Sequence, residues 1–153
     1  MSKLLIELKE DNSNLLQILE PYYKDIEEAA PRITIKGKTL AHANQEQPSW
    51  QSYYDERRIS LHSLVKHFET LLDSKKGELW KKYTENHSRD LNSKDKEYYI
   101  LNSPTYITYK QLLIEVQEIY SNFVAICDAY KMRGYALRNL TDLHVNSLQD
   151  VVV

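Results

Sequence analysis

The sequence predicts an all-α fold: two long antiparallel helices preceded by a short N-terminal helix and packed in coiled-coil fashion. Three observations predict it. Only three glycines and four prolines occur in 153 residues, too little punctuation for a many-stranded chain. Trp50, Tyr54, Arg57, Leu61, Leu64, Phe68 and Leu71 recur at alternating spacings of four and three, the heptad a/d pattern. The same spacing returns in Tyr109, Leu112, Val116, Ile119, Phe123, Ile126, Tyr130, Arg133, Leu137 and Leu140. A chain of this length is ordinarily one domain. Within it, 1–31 reads as an N-terminal helical segment and 32–153 as the main helical, oligomerising part.

Taken in order, residues 3–9 carry a short apolar pattern, and Asp11-Asn12-Ser13-Asn14 is a cluster of capping residues. A helix is expected from about Asn14 to Ala29, stopped before Pro31. Residues 32–38 alternate like an extended segment or short strand. Thr39 can cap the next helix, and Pro48 either kinks that helix or precedes a new one at Ser49. The heptad pattern slips after Leu71: Lys75 and Glu78 take the continuing positions, while Leu72, Leu79 and Tyr83 carry an offset stripe past Gly77. The helix should end near Tyr83. Residues 84–105 form a polar connector with an extended piece at Tyr98-Tyr99-Ile100-Leu101. The last helix should run from about Thr105 to Leu143 and fray into the closing residues.

That helix carries a second row, Leu113, Tyr120, Cys127 and Gly134, beside its main stripe. An apolar face this wide touches two neighbours, and one helix hairpin cannot cover both rows. The remaining surface is expected between subunits, which nominates Leu112, Val116, Ile119, Phe123, Ile126, Tyr130, Arg133, Gly134, Leu137 and Leu140 as oligomerisation residues. Gly134 costs the helix about 1 kcal/mol relative to alanine, so close approach of another backbone is the expected reason for it. Arg133 inside the stripe is either a salt-bridged interface arginine or one facing a pore or phosphate. The assembly role is preferred, with Asp128 or Asp142 as its partner across subunits.

Enzyme chemistry is absent from the sequence. It has no glycine-rich phosphate loop, no Gly-x-Ser-x-Gly elbow and no zinc-type Cys/His cluster, so no catalytic residue, metal or cofactor is expected. His62 and His67 are five apart, the wrong spacing for paired ligands, and His42, His87 and His144 stand alone. Asp25, Glu27 and Glu28 read as a solvated helix face. The single Cys127 falls among apolar residues as a small core side chain. No signal-peptide pattern and no apolar run of about 20 residues occurs, which points to a cytosolic, reduced chain with no membrane partner.

The net charge of −2 is unevenly spread. Residues 1–31 hold three basic groups against seven acids, 32–89 eleven against seven, and 90–153 six against eight. A basic centre in an acidic chain suits weak, multivalent contact with nucleic acid. Twelve tyrosines against two phenylalanines suit either half-buried helix faces or base-stacking platforms. The best candidate surface is Lys75, Lys76, Trp80, Lys81, Lys82 and Tyr83, where lysines can neutralise phosphates and rings can stack on unpaired bases. A charged coiled-coil flank with two core aromatics is the other reading. Arg57, Arg58, Lys36 and Lys38 are the next candidates.

The run Asp128-Ala129, Lys131, Arg133-Gly134-Tyr135-Ala136-Leu137-Arg138 and Asp142-Leu143 resembles the C-terminal helix of the UvsY family, recombination mediators of T-even-type bacteriophages. Pro48-Ser49-Trp50-Gln51-Ser52-Tyr53-Tyr54 looks like the proline-containing start of that family's long helix, and the similarity is colinear from about Ile33 to Leu143. The resemblance implies a ring-like homo-oligomer, of about six or seven subunits, in the cytoplasm of an infected bacterial host. It implies roles in DNA recombination, repair and replication, with single-stranded DNA, the phage single-strand-binding protein and the phage recombinase as partners. The family's basic–aliphatic DNA-binding motif falls near the end of the long helix. Gly77 and Leu79 stand at its basic positions, so the lysines around them are nominated by proximity and chemistry. The competing expectation is a structural helical adaptor or scaffold without a nucleic-acid role.

Overall fold

A computed structural model of the chain describes residues 14–86 and 91–147. All four described elements are helices: α1 Leu15–Ile33, α2 Leu40–Glu85, α3 Ser93–Leu101 and α4 Pro104–Val145. The apolar pattern of residues 3–9, the capping residues Asp11 to Ser13, His87 and the closing residues after 147 lie outside the described residues.

The long helices α2 and α4 pair antiparallel. Lys75 at one end lies over Tyr109, His62 meets Tyr120 midway, and Gln47 at the other end hydrogen-bonds the Tyr130 carbonyl. The heptad stripe of α2 is the buried one: Tyr54, Leu61, Leu64 and Phe68 are fully enclosed, and Leu79 continues the offset row. Thr39 caps α2 as expected, its hydroxyl accepting from the His42 amide at 3.2 Å. Pro48 lies inside the continuous helix α2 rather than starting a new one.

Four expectations are corrected. First, α1 does not stop before Pro31 but runs to Ile33 with Pro21 and Pro31 inside it. Proline removes one helical hydrogen bond and crowds the preceding turn. Here the last turn is held from outside, where Arg32 donates to the Tyr54 hydroxyl at 3.1 Å and the Ile33 carbonyl accepts from Arg133 at 2.9 Å, and within the helix by Arg32 with Asp25 and Glu28. Second, residues 32–38 form no strand; Gly37, at φ 85°, turns the chain between the two helices. Third, Tyr98 to Leu101 is the end of helix α3, not an extended piece. The Asn92 side chain accepts from the Asp95 amide at 2.9 Å, a cap that starts this helix.

Fourth, the hairpin is not left to cover both rows of α4 alone. The helix α1 lies along α4 and adds Leu15, Leu19, Tyr22 and Ala29 to one continuous core with Tyr54, Phe68, Phe123, Cys127 and Tyr130. Tyr22 meets Phe123 edge-on at 5.7 Å. Three helices thus close the core within a single chain.

Candidate nucleic-acid interface

Cations and rings gather in two places, and their surroundings differ. At the α1–α2–α4 end, Asp25 is buried and accepts from the Tyr53 hydroxyl at 2.9 Å, from Arg57 at 2.7 Å and from Arg32 at 3.4 Å. Asp25 is therefore not part of a solvated face. Arg32 lies over the Trp50 ring at 4.2 Å, and Arg57 over Tyr22 and Tyr53 at 4.8 and 4.9 Å. The Tyr54 hydroxyl donates to the Asp25 carbonyl at 2.9 Å. Every group of this cluster is engaged inside the fold.

Arg133 belongs to the same closed end. Its side chain is 1 % exposed and pairs with Glu46 of its own chain, not with Asp128 or Asp142 across subunits. Asp128 pairs instead with Lys131 at 3.0 Å. Arg133 also donates to the carbonyls of Ile33 (2.9 Å) and Ala43 (3.2 Å) and to Gln47 Oε1 (2.6 Å). Gln47 in turn donates from Nε2 to the Tyr130 carbonyl at 2.7 Å. A Cβ on Gly134 would sit 3.2 Å from that Nε2. Gly134 therefore makes room for a side chain rather than for another backbone.

Of the ten residues nominated for oligomerisation, Val116, Ile119, Phe123, Tyr130, Arg133 and Leu137 are buried by the chain's own helices. Leu112, Ile126 and Gly134 are half-buried, and Leu140 is exposed. Any subunit contact on α4 can draw only on the latter four and on residues outside the stripe. A charge placed at Phe123 or Leu137 would unfold the chain before it tested assembly.

The second gathering lies where the end of α2 meets α3. Each helix has one buried anchor there, Leu79 on α2 and Ile100 on α3. On α2, Lys76, Trp80 and Tyr83 follow at spacings of four and three, so they share the face turned toward α3. Lys76 reaches Glu97 at 3.9 Å, Lys96 lies over the Trp80 ring at 5.6 Å, and Tyr83 meets Tyr99 at 5.6 Å. Tyr98 continues the row beside Tyr99 at 6.1 Å. Lys75 turns the other way, pairing with Glu78 at 2.9 Å; the hydrogen bond it donates to that carboxylate raises its pKa and keeps it charged. Lys81 is exposed and reaches Glu85 at 3.9 Å, and Lys82 is exposed.

The six nominated DNA-binding residues are thus brought to one end of the molecule, with Trp80 and Tyr83 partly open. The glutamate partners of the lysines are themselves on the surface, and exposed pairs of this kind contribute little and yield readily to a better anion. The secondary candidates fare differently. Arg57 is held by Asp25, Lys38 by Glu46 at 2.5 Å and Arg58 by Asp55 at 3.3 Å, while Lys36 is exposed. Sequence reasoning missed the α3 side of the cluster, Lys94, Lys96, Tyr98 and Tyr99. The signal for it was Asn92 followed three residues later by Asp95, a helix start inside what looked like a connector.

Among the described residues, no group of His, Cys, Asp and Glu is arranged to hold a metal ion, and no helix is long and apolar enough to cross a membrane. His62 packs on Tyr120 and His67 on Phe68. Burial, with Asp55 beside it, pushes the Cys127 thiol up to about 11. Comparison with known protein families, with curated proteins and with solved structures finds no match for this chain.

Proposed function

We propose that the protein is a recombination mediator that binds single-stranded DNA and helps load a phage recombinase onto strands coated by single-strand-binding protein. One observation carries the binding half of this reading: Lys76, Lys81 and Lys82 stand with Trp80 and Tyr83 at an open end, where the carboxylates paired with the lysines are exposed. Cations beside partly exposed rings are what sequence-tolerant binding of a single strand requires. The resemblance to the UvsY family supports the mediator half. A mediator must release the strand it binds, so individually weak contacts repeated around a homo-oligomeric ring, engaging one strand together, fit the task through avidity. The site of action on this reading is the cytoplasm of an infected bacterial host.

The second reading is a structural helical adaptor, and the ion pairs at Lys75, Lys76 and Lys81 favour it. Salt-dependent binding of an oligothymidylate separates the two. On the mediator reading, replacing Lys75, Lys76, Lys81 and Lys82 with alanine weakens binding about uniformly across sequences. It also flattens the log–log salt slope by roughly 0.7 for each phosphate left unneutralised. Trp80→Ala lowers affinity by about 1–3 kcal/mol with little change of slope. Unchanged affinity and slope in the four-lysine variant would remove this surface as the site.

A further inference from the structure

We infer that α3 supplies the second half of the strand-binding surface, with Tyr98 and Tyr99 as base-stacking platforms and Lys94 and Lys96 as phosphate contacts. The inference rests on the reading of the α2 end as a single-strand site and extends it to a second helix.

A nine-residue helix is not stable alone in water, so α3 must be held by what it touches. Its only buried residue is Ile100. The two tyrosines just before that anchor do not join the core: Tyr98 is 67 % exposed and Tyr99 42 %. Burying either ring would have strengthened the attachment of a weakly held helix. Instead Tyr99 meets Tyr83 and Tyr98 in a run of three partly open rings, and Trp80, also partly open, stands one helical turn before Tyr83 beneath Lys96. An apolar patch rimmed by charge marks a contact surface.

The rim selects the partner. Lys94 is exposed at the start of α3, and Lys96 rests its ammonium against the Trp80 ring. That contact leaves the lysine reachable by a phosphate within a side-chain rotation, since an exposed cation–π contact is weak. Partly open π-faces with lysines beside them, whose carboxylate neighbours Glu85, Asp95 and Glu97 are themselves exposed and screened by water, fit an anion that itself presents unpaired flat rings, which is a single strand of DNA. A duplex hides those rings in its stack and offers only its phosphates.

The test is a salt-series titration of the full-length chain with oligothymidylate, followed by anisotropy, alongside a duplex of equal length. Tyr98→Ala alone is the cleanest variant because so exposed a ring contributes little to folding. It should lower affinity for the single strand about 5- to 150-fold at unchanged melting temperature and salt slope. Tyr98→Phe, which keeps the ring, should restore binding. The pair Lys94→Ala and Lys96→Ala should lower the slope by roughly 0.7 for each phosphate left unneutralised. If the Tyr98 and Lys94/Lys96 variants all bind as the wild type does, while Trp80→Ala or the four-lysine variant loses affinity, α3 is outside the site and the α2 reading stands. A wild-type chain that shows no salt-dependent binding of the single strand overturns both.

Discussion

The two ends of this molecule hold the same kinds of side chain in opposite surroundings. Around Asp25, two helices bring Arg32 and Arg57 against Trp50, Tyr22, Tyr53 and Tyr54, and a buried carboxylate consumes the cations. Where α2 meets α3, lysines stand beside Trp80, Tyr83, Tyr98 and Tyr99, and the glutamates they pair with are exposed. Cations next to aromatic rings therefore do not by themselves mark a binding surface. The two ends differ in whether the counter-charge is buried. A desolvated carboxylate cannot exchange its cation for a passing phosphate without leaving an uncompensated charge behind. An exposed one gives it up at little cost.

The closed end can be broken most severely at Arg133. Arg133→Ala removes a buried cation that ties Glu46, Gln47 and the Ile33 and Ala43 carbonyls together, although Glu46 keeps Lys38, and should cost about 3–5 kcal/mol in chemical denaturation. A loss below about 1 kcal/mol would show that the network is incidental to the fold. Asp25→Ala removes the acceptor of Tyr53 and both arginines, but those arginines retain some solvent. Its cost should be smaller, about 2–3 kcal/mol, read in the same experiment. The four-lysine change at the open end should leave the denaturation midpoint where it is. A large shift there would erase the contrast between the two ends.

Acid offers a milder probe. Burial pushes the Glu46 carboxyl up, but the Lys38 hydrogen bond and the charges of Lys38, Arg133 and His42 outweigh it, and the pKa lies below the usual value. A carboxylate with a depressed folded-state pKa stabilises the fold fully above its unfolded pKa. That contribution disappears as the pH falls through the folded value. Wild-type stability should therefore decline below about pH 5 more steeply than that of Glu46→Gln. Parallel pH profiles for the two would mean that Glu46 carries no such linkage.

The smallest effect is expected at Gly134. Gly134→Ala gains about 1 kcal/mol of helix propensity but crowds Gln47 Nε2, whose bond to the Tyr130 carbonyl is worth a similar amount. The substitution alone should be close to neutral. In a Gln47→Ala background the crowding is gone, and Gly134→Ala should become stabilising by about 1 kcal/mol. Equal effects in both backgrounds would leave the glycine unexplained by Gln47.

Periodicity was enough for the parts of the fold that repeat. The 4–3 spacing from Trp50 to Leu71 and from Tyr109 to Leu140 gave both long helices and their buried stripes, because a helix of 3.6 residues per turn places such residues on one face whatever surrounds it. Thr39 announced the start of α2 for an equally local reason, a hydroxyl within reach of a free amide. Composition likewise brought Lys75 to Tyr83 forward as a basic, aromatic surface. Where the outcome depended on a distant partner, local signals misled. Pro31 argues for a helix end, yet the turn beyond it is held by Tyr54 and Arg133, which are far away in sequence. Asp25 reads as solvated beside Glu27 and Glu28 until Tyr53 and Arg57 close over it. Gly134 and Arg133 signal a close contact without saying with what, and the answer, Gln47 and Glu46, comes from a helix far earlier in the chain. Tyr98 and Tyr99 joined the candidate site only when α3 folded against α2. Sequence determined which faces are apolar, since that is a property of spacing. The tertiary structure decided which charges are consumed and which remain available, since desolvation depends on every element that packs against a group.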